Sequence, residues 1–97
     1  MCGIAGLIKI DNTLAEDSVS AMLDSIEHRG RDGRGIIQCN SRVTFGHTRL
    51  SIIDTSSAGA QPYIFRNLTL TFNGEIYNYL ELRQMLRQEG VSFDTKS

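Results

Sequence analysis

The chain opens Met1-Cys2-Gly3-Ile4-Ala5-Gly6-Leu7-Ile8, and how these residues are read decides what the rest of the molecule can be. Residues 2–8 have the pattern of a buried strand, with glycines where backbone must pack closely or meet a ligand. The cysteine adds chemistry. Removal of an initiator methionine favours a small second residue, and loss of Met1 leaves Cys2 with a thiol and a free α-amine on one residue. A thiol is a strong nucleophile that needs only modest help. A free α-amine titrates near ~7.7–8.0, close to the operating pH at which general-base catalysis works best. An N-terminal nucleophile served by its own amine is a known variant of triad logic. The plainer reading is that Cys2 is a small hydrophobe at the start of a strand.

With 97 residues the chain allows one small domain. Ten basic and eleven acidic residues give a net charge of −1, a balance that points to neither nucleic acid nor a membrane surface as partner. No apolar run approaches the ~20 residues of a membrane span, and the N-terminus lacks the basic start and apolar stretch of a signal peptide. Cys2 and Cys39 make no disulfide framework. A reducing, cytoplasmic setting is the expectation, and a reactive Cys2 requires one.

Outward from the first strand, Asp11 and Asn12 read as a turn, and Thr13 to Glu16 has the spacing of a capping box. The helix that follows carries Val19, Met22, Leu23 and Ile26 on one apolar face and ends near His28, before Gly30. Residues 28–35 are dense in glycine and arginine. They read equally as a solvated connection or as a loop bracing a site. Residues 35–39 and 42–50 follow as strands around an Asn40-Ser41 turn. Residues 51–54 continue the second strand or bend away from it, and 55–62 are a loop. Residues 63–65 and 68–72 form a second hairpin around Arg66-Asn67. Asn73-Gly74-Glu75 interrupts that strand. Asn78 caps a second helix with Tyr79, Leu82, Met85 and Leu86 on one face and Gly90 as terminator. Residues 91–95 read as a further strand with no partner after it, as if the chain were cut there. The order implies an α+β fold with sheet and helices in layers.

Three polar clusters sit at strand ends: Cys2-Gly3, Gly46-His47-Thr48-Arg49 and Asn73-Gly74-Glu75. The other two, like Cys2, have bland alternatives. Arg49 could be a surface ion-pair member, and Asn73-Gly74 is by itself the strongest hairpin-turn dipeptide. His28, His47 and Cys39 read as structural, since no spacing among them suits a metal. Taken in order, however, Met1-Cys-Gly-Ile-Ala-Gly6, His28-Arg-Gly30, Gly46-His-Thr-Arg-Leu-Ser-Ile-Ile-Asp54, Gln61-Pro62 and Asn73-Gly-Glu-Ile-Tyr-Asn78 closely resemble the N-terminal glutaminase domain of glutamine-hydrolysing asparagine synthetases, a class II glutamine amidotransferase. The resemblance covers the whole chain.

That resemblance implies an N-terminal-nucleophile hydrolase fold, a layered α/β/β/α sandwich of antiparallel sheets, here incomplete. It implies that residues 1–97 are the N-terminal part of an amidotransferase domain, with the synthetase domain absent. Cys2 is then the nucleophile, and the Asn73 side chain and Gly74 N–H form the oxyanion hole. Arg49 holds the α-carboxylate of L-glutamine, Leu50 and Ile52 offer it backbone contacts, and Glu75 takes its α-amino group. No cofactor is expected here; ATP and magnesium go with the missing synthetase domain, the implied partner, and a homodimer is one arrangement open to the family. The chain departs from the family pattern at Arg31, where proline usually follows His-Arg-Gly, which adds charge to a loop expected to be rigid. The alternatives to a glutaminase that supplies an asparagine-synthetase-type module are a catalytically incompetent truncated fragment of such a protein and an amidotransferase domain that serves a different acceptor.

Overall fold

The computed structural model describes residues 1–11, 15–51 and 56–96. The elements are β1 (Gly3–Ile8), α1 (Glu16–Ser25), β2 (Gly33–Gln38), β3 (Val43–Arg49), β4 (Tyr63–Phe65), β5 (Leu68–Leu70) and α2 (Tyr79–Gln88), with 3-10 turns at Glu27–Arg29 and Ser57–Gly59. The strands form two antiparallel sheets, β1-β3-β2 and β4-β5. The α+β class expected from the sequence is therefore present. Among the described residues, α1 covers one face of the larger sheet, and the smaller sheet is a separate hairpin.

β3 is the central strand. On one side it sets Gly3 opposite Thr48, Ala5 opposite Gly46 and Leu7 opposite Thr44; on the other it sets Ile36 opposite Gly46. Residues opposite one another share a face, and this set faces α1. Ala15, Val19 and Leu23 recur every four positions and are at most 1% exposed, so one stripe of the helix meets the sheet. The stripe rests on Gly46. A Cβ there would lie 2.7 Å from Val19 Cγ1 and 2.9 Å from Leu23 Cδ1, so the helix can seat this closely only over a glycine. Arg34 on β2 ties the helix down laterally, donating to Asp24 Oδ1 at 2.6 Å, the Ser20 carbonyl at 2.6 Å and Ser20 Oγ at 2.7 Å.

Several expectations change on contact with this packing. Met22 is exposed, on the flank of the stripe that meets Gly46; Ile26 stands just past the helix end but still packs on the sheet, since a Cβ at Gly3 would lie 2.8 Å from Ile26 Cδ1. Thr13 lies outside the described residues. Ala15 holds the N-cap position, so Glu16 is the first helical residue and not the third of a capping box. β1 is only half buried, with Ile4 and Ile8 exposed on the face away from α1. β2 starts at Gly33 because Gly33 and Arg34 pair with Arg49 and Thr48.

The two turns follow their residues. Asn40 Oδ1 accepts from the Arg42 and Val43 amides at 2.8 and 2.9 Å, an Asx turn. Arg66 takes φ of 55° in the two-residue loop between β4 and β5, as such loops require.

The last part of the chain is less committed to the core. Asn78 stands at the N-cap of α2, but its side chain makes no capping bond, and no residue of α2 is buried. Gly90, with φ of 92°, ends the helix; Gly90 N–H reaches the Arg87 carbonyl and Val91 N–H the Leu86 carbonyl, both at 3.0 Å, a Schellman closure. The strand expected at 91–95 does not form. Those residues turn back on α2 instead, with Phe93 beneath the Arg83 and Arg87 guanidinium groups at 4.6 and 5.9 Å, contacts that substitute for a ladder. Among the described residues no helix is long and apolar enough to cross a membrane.

If the Ala15-Val19-Leu23 stripe is the core, Leu23→Ala lowers the unfolding free energy by ~2–5 kcal/mol, while Met22→Ala stays within ~0.5 kcal/mol of the parent. Urea unfolding followed by far-UV circular dichroism separates the two; equal losses would place the core elsewhere.

Candidate active site

The register that sets Gly3 opposite Thr48 carries Cys2 past the end of β1 to the residue just beyond β3. There the Leu50 N–H donates to Cys2 Sγ at 3.2 Å, and the Leu50 carbonyl lies 3.6 Å from the same sulfur. The Cys2 carbonyl accepts from Arg29 Nε at 3.0 Å. Arg29 belongs to the 3-10 turn after α1, and the loop behind it is laced to β3. Asp32 N–H donates to the Arg49 carbonyl at 2.8 Å, and Asp32 Oδ2 accepts from Ser51 N–H at 2.8 Å. Of the two readings open for residues 28–35, the bracing one describes what forms. Arg31 is exposed, and these bracing bonds are made by its neighbours.

A cleft of about 390 Å³ opens beside the sulfur and is lined by Cys2, Arg49, Leu50, Asn73, Gly74 and Glu75, with Met1, His47, Gln61 and Tyr79 among the other walls. Six of the seven residues singled out in the sequence thus meet in one place from three parts of the chain. The seventh, Ile52, lies outside the described residues. Asn73 is half buried and Glu75 exposed. Arg49 donates from Nη1 to the Ser56 carbonyl at 2.6 Å, which fixes the guanidinium at the cleft wall.

Asn73 and Gly74 are not on a strand. The strand expected to reach Phe72 ends at Leu70, the last residue with a partner on β4. Beyond it, Phe72 N–H donates to Gln61 Oε1 at 2.7 Å, and Thr71 Oγ1 meets His47 Nδ1 at 3.0 Å. His47 is fully buried, and its Nε2 has no hydrogen-bond partner among the described residues. Burial, and secondarily the charge of Arg49, pushes its pKa below the usual imidazole value, so the ring is neutral at pH 7. His28 is exposed on the turn that bears Arg29. Cys39, expected inside a strand, lies just past the end of β2 and is only half buried, because β2 already turns at Asn40. Among the described residues no group of three or more His, Cys, Asp or Glu side chains could hold a metal ion.

Sequence reasoning missed Arg29 and Gln61 as neighbours of this site and took His47 only as structural. Arg29 sat in the glycine-rich loop as a visible candidate. Gln61 stood in one of the matching motifs, but nothing local showed its role, which depends on a contact eleven residues away.

Comparison with known proteins places these residues in context. A family model described as glutamine amidotransferase domain matches residues 1–97. Asparagine synthetase (glutamine-hydrolyzing) 1 of Bacillus subtilis is 41% identical over 100% of this chain and 16% of its own length. Asparagine synthetase (glutamine-hydrolyzing) 3 of the same organism is 34% identical over 100% of the chain and 16% of its own length. Amidase chry2 of Gibberella zeae is 35% identical over 92% of the chain and 15% of its own length. The chain spans about a fifth or less of the length of the curated relatives it matches.

The lowered His47 pKa has a consequence for stability. As pH falls below ~6.5 the unfolded chain takes up a proton at this residue before the folded one does. Stability is therefore full above ~6.5 and declines as pH drops through the folded value. The urea midpoint should fall between pH ~7.5 and ~5.5, and His47→Asn should flatten that part of the curve. An unchanged slope in the variant would mean that His47 is not the group responsible.

Proposed function

Because the chain belongs to the glutamine amidotransferase domain family, we propose that it hydrolyses the side-chain amide of L-glutamine with Cys2 as the N-terminal nucleophile and hands the ammonia to an amide-forming module of the asparagine synthetase type. The observation that carries this reading is the convergence of Cys2, Arg49, Asn73, Gly74 and Glu75 on one cleft, in a chain matched throughout by the family.

The chemistry follows from these groups once Met1 is removed. The Cys2 sulfur attacks the amide carbon, and its proton passes to the free α-amine of the same residue. The carbonyl oxygen becomes an oxyanion, for which the Asn73 side-chain amide and the Gly74 N–H are the donors. The C–N bond breaks, the amine returns its proton to the departing nitrogen, and ammonia leaves a thioester on Cys2. Water then attacks the thioester carbon, and glutamate and the thiol are regenerated. Specificity falls to the amino-acid end of the substrate. The Arg49 fork suits a carboxylate, Glu75 an ammonium group, and the backbone of Leu50 a polar contact; Ile52 joins them by resemblance alone.

Within this reading the domain is a layered sandwich of the N-terminal-nucleophile type. ATP and magnesium serve the separate synthetase module, and no residue of this chain is assigned to either. The acceptor is aspartate if the asparagine synthetase relatives are the guide; the resemblance to an amidase of different name keeps another acceptor in view. One observation favours a second reading, in which this chain holds the site residues but does not turn over. α2, which contributes Tyr79 to the cleft, buries none of its side chains.

The test is ammonia release from L-glutamine by chain whose loss of Met1 is confirmed by mass. Cys2→Ala should abolish release, and Asn73→Ala should lower turnover by ~10²–10³. Release that survives in Cys2→Ala would end the nucleophile assignment. No release from processed, folded wild-type chain would favour the second reading.

A further inference from the structure

We propose that His47 and Gln61 are positioning residues, which hold the segment bearing Asn73 and Gly74 in register with the Cys2 strand. The inference rests on the glutaminase reading above and extends it to two residues to which that reading gives no role.

The segment needs such a device. β5 pairs with β4 only as far as Leu70, so residues 71–74 reach the cleft without a strand ladder to fix them. Two side chains take the ladder's place. Gln61 Oε1 accepts the Phe72 N–H at 2.7 Å. His47 Nδ1 meets Thr71 Oγ1 at 3.0 Å, and that hydroxyl lies 3.5 Å from the Gly46 carbonyl. These contacts hold the two residues immediately before Asn73.

Both anchors trace back to one row of the larger sheet. β3 sets His47 opposite Ile4 on β1 and opposite Gly35 on β2. Gly35 seats the other anchor, since a Cβ there would lie 2.3 Å from the Gln61 carbonyl oxygen and 3.1 Å from Pro62 Cδ. The Gln61-Pro62 backbone therefore lies directly on β2 at the position paired with His47. Ile4 is two residues from Cys2. One cross-strand row thus fixes the strand that carries the nucleophile and the two side chains that fix the oxyanion segment.

The state of His47 argues against mere packing. The ring is fully buried, yet Nε2 has no hydrogen-bond partner among the described residues, a burial that costs stability. An aliphatic side chain would fill the space without that cost. What it could not supply is the polar contact to Thr71. An oxyanion hole acts through pre-set geometry, and a displacement of ~1 Å can cost about 10²-fold in rate.

Four variants test this by glutaminase kinetics on chain lacking Met1. Thr71→Val and Gln61→Met remove the polar partner at nearly constant shape. Thr71→Ser and Gln61→Glu keep an acceptor in place. The first pair should lower kcat by about 10–100-fold with KM changed by less than about threefold, and the second pair should recover most of the loss. Alkylation of Cys2 by iodoacetamide should stay at the parental rate throughout. In an Asn73→Ala background Thr71→Val and Gln61→Met should each cost less than in the parent, because one of the two donors they position is gone and only the Gly74 N–H remains. Full, additive losses in that background, or equal losses for Thr71→Val and Thr71→Ser, would overturn the proposal. Amide exchange supplies a readout independent of turnover: the Phe72 amide should exchange at least about tenfold faster in Gln61→Met. A wild-type chain without Cys2-dependent ammonia release would sink the glutaminase reading, and exchange would still decide the anchoring; unchanged exchange at Phe72 would sink the anchoring whatever the activity.

Discussion

The antiparallel register of β1 on β3, with Gly3 opposite Thr48, is the constraint from which the rest of the molecule follows. Strand side chains alternate faces, so a slip of one residue would turn every one of them over. In the observed register Ala5 and Gly46 lie side by side under α1, and the helix stripe of Ala15, Val19 and Leu23 has a flat surface to meet. The same register brings the Cys2 sulfur to the Leu50 amide, 48 positions away in the chain. Packing on one face and chemistry at one end are therefore set by a single pairing.

The central strand divides its labour between its two faces. Thr44, Gly46 and Thr48 serve the helix. His47, between them, serves the opposite side, where the cleft forms and where Thr71 and Phe72 are tied. Arg49 and Leu50 at its end border the cleft directly. A site built from backbone amides and short side chains at strand ends gains rigidity from the sheet behind it, which suits chemistry that relies on pre-set donors. The loop at residues 28–35 adds to this by fastening the Cys2 carbonyl through Arg29 and the end of β3 through Asp32.

The rest of the chain is held differently. The hairpin of β4 and β5 exposes Ile64, Phe65, Leu68 and Leu70, and α2 exposes Leu82, Met85 and Leu86. α2 is amphipathic in sequence, so its periodicity alone specifies a helix. Its ends are set by local bonds at Gly90 and Val91 and not by tertiary contact. Local order without burial is weakly stabilised, and this half of the cleft wall depends on the few side-chain ties described for residues 71 and 72.

Much of this was legible in the residues. Apolar pattern and turn chemistry placed strands at 2–8, 42–50 and 63–65, within a residue of those that form at Gly3–Ile8, Val43–Arg49 and Tyr63–Phe65, and with them the Asn40 and Arg66 turns and the Gly90 stop, because each is a local preference written in adjacent side chains. The motif order pointed to the cysteine, the arginine and the Asn-Gly-Glu cluster that meet in the cleft. What the sequence could not decide was which side of an apolar pattern would be covered. Met22 fits the helical period as well as Val19, Leu23 and Ile26, yet Met22 is exposed while Ile26 reaches the sheet at Gly3. Nor could it decide that residues 91–95 would fold back under arginines, or that Gln61 would hold Phe72. Strand pairing and side-chain anchoring depend on partners distant in sequence, so they have no local signature; they exist only once the β1–β3 register has brought those partners within a few ångströms.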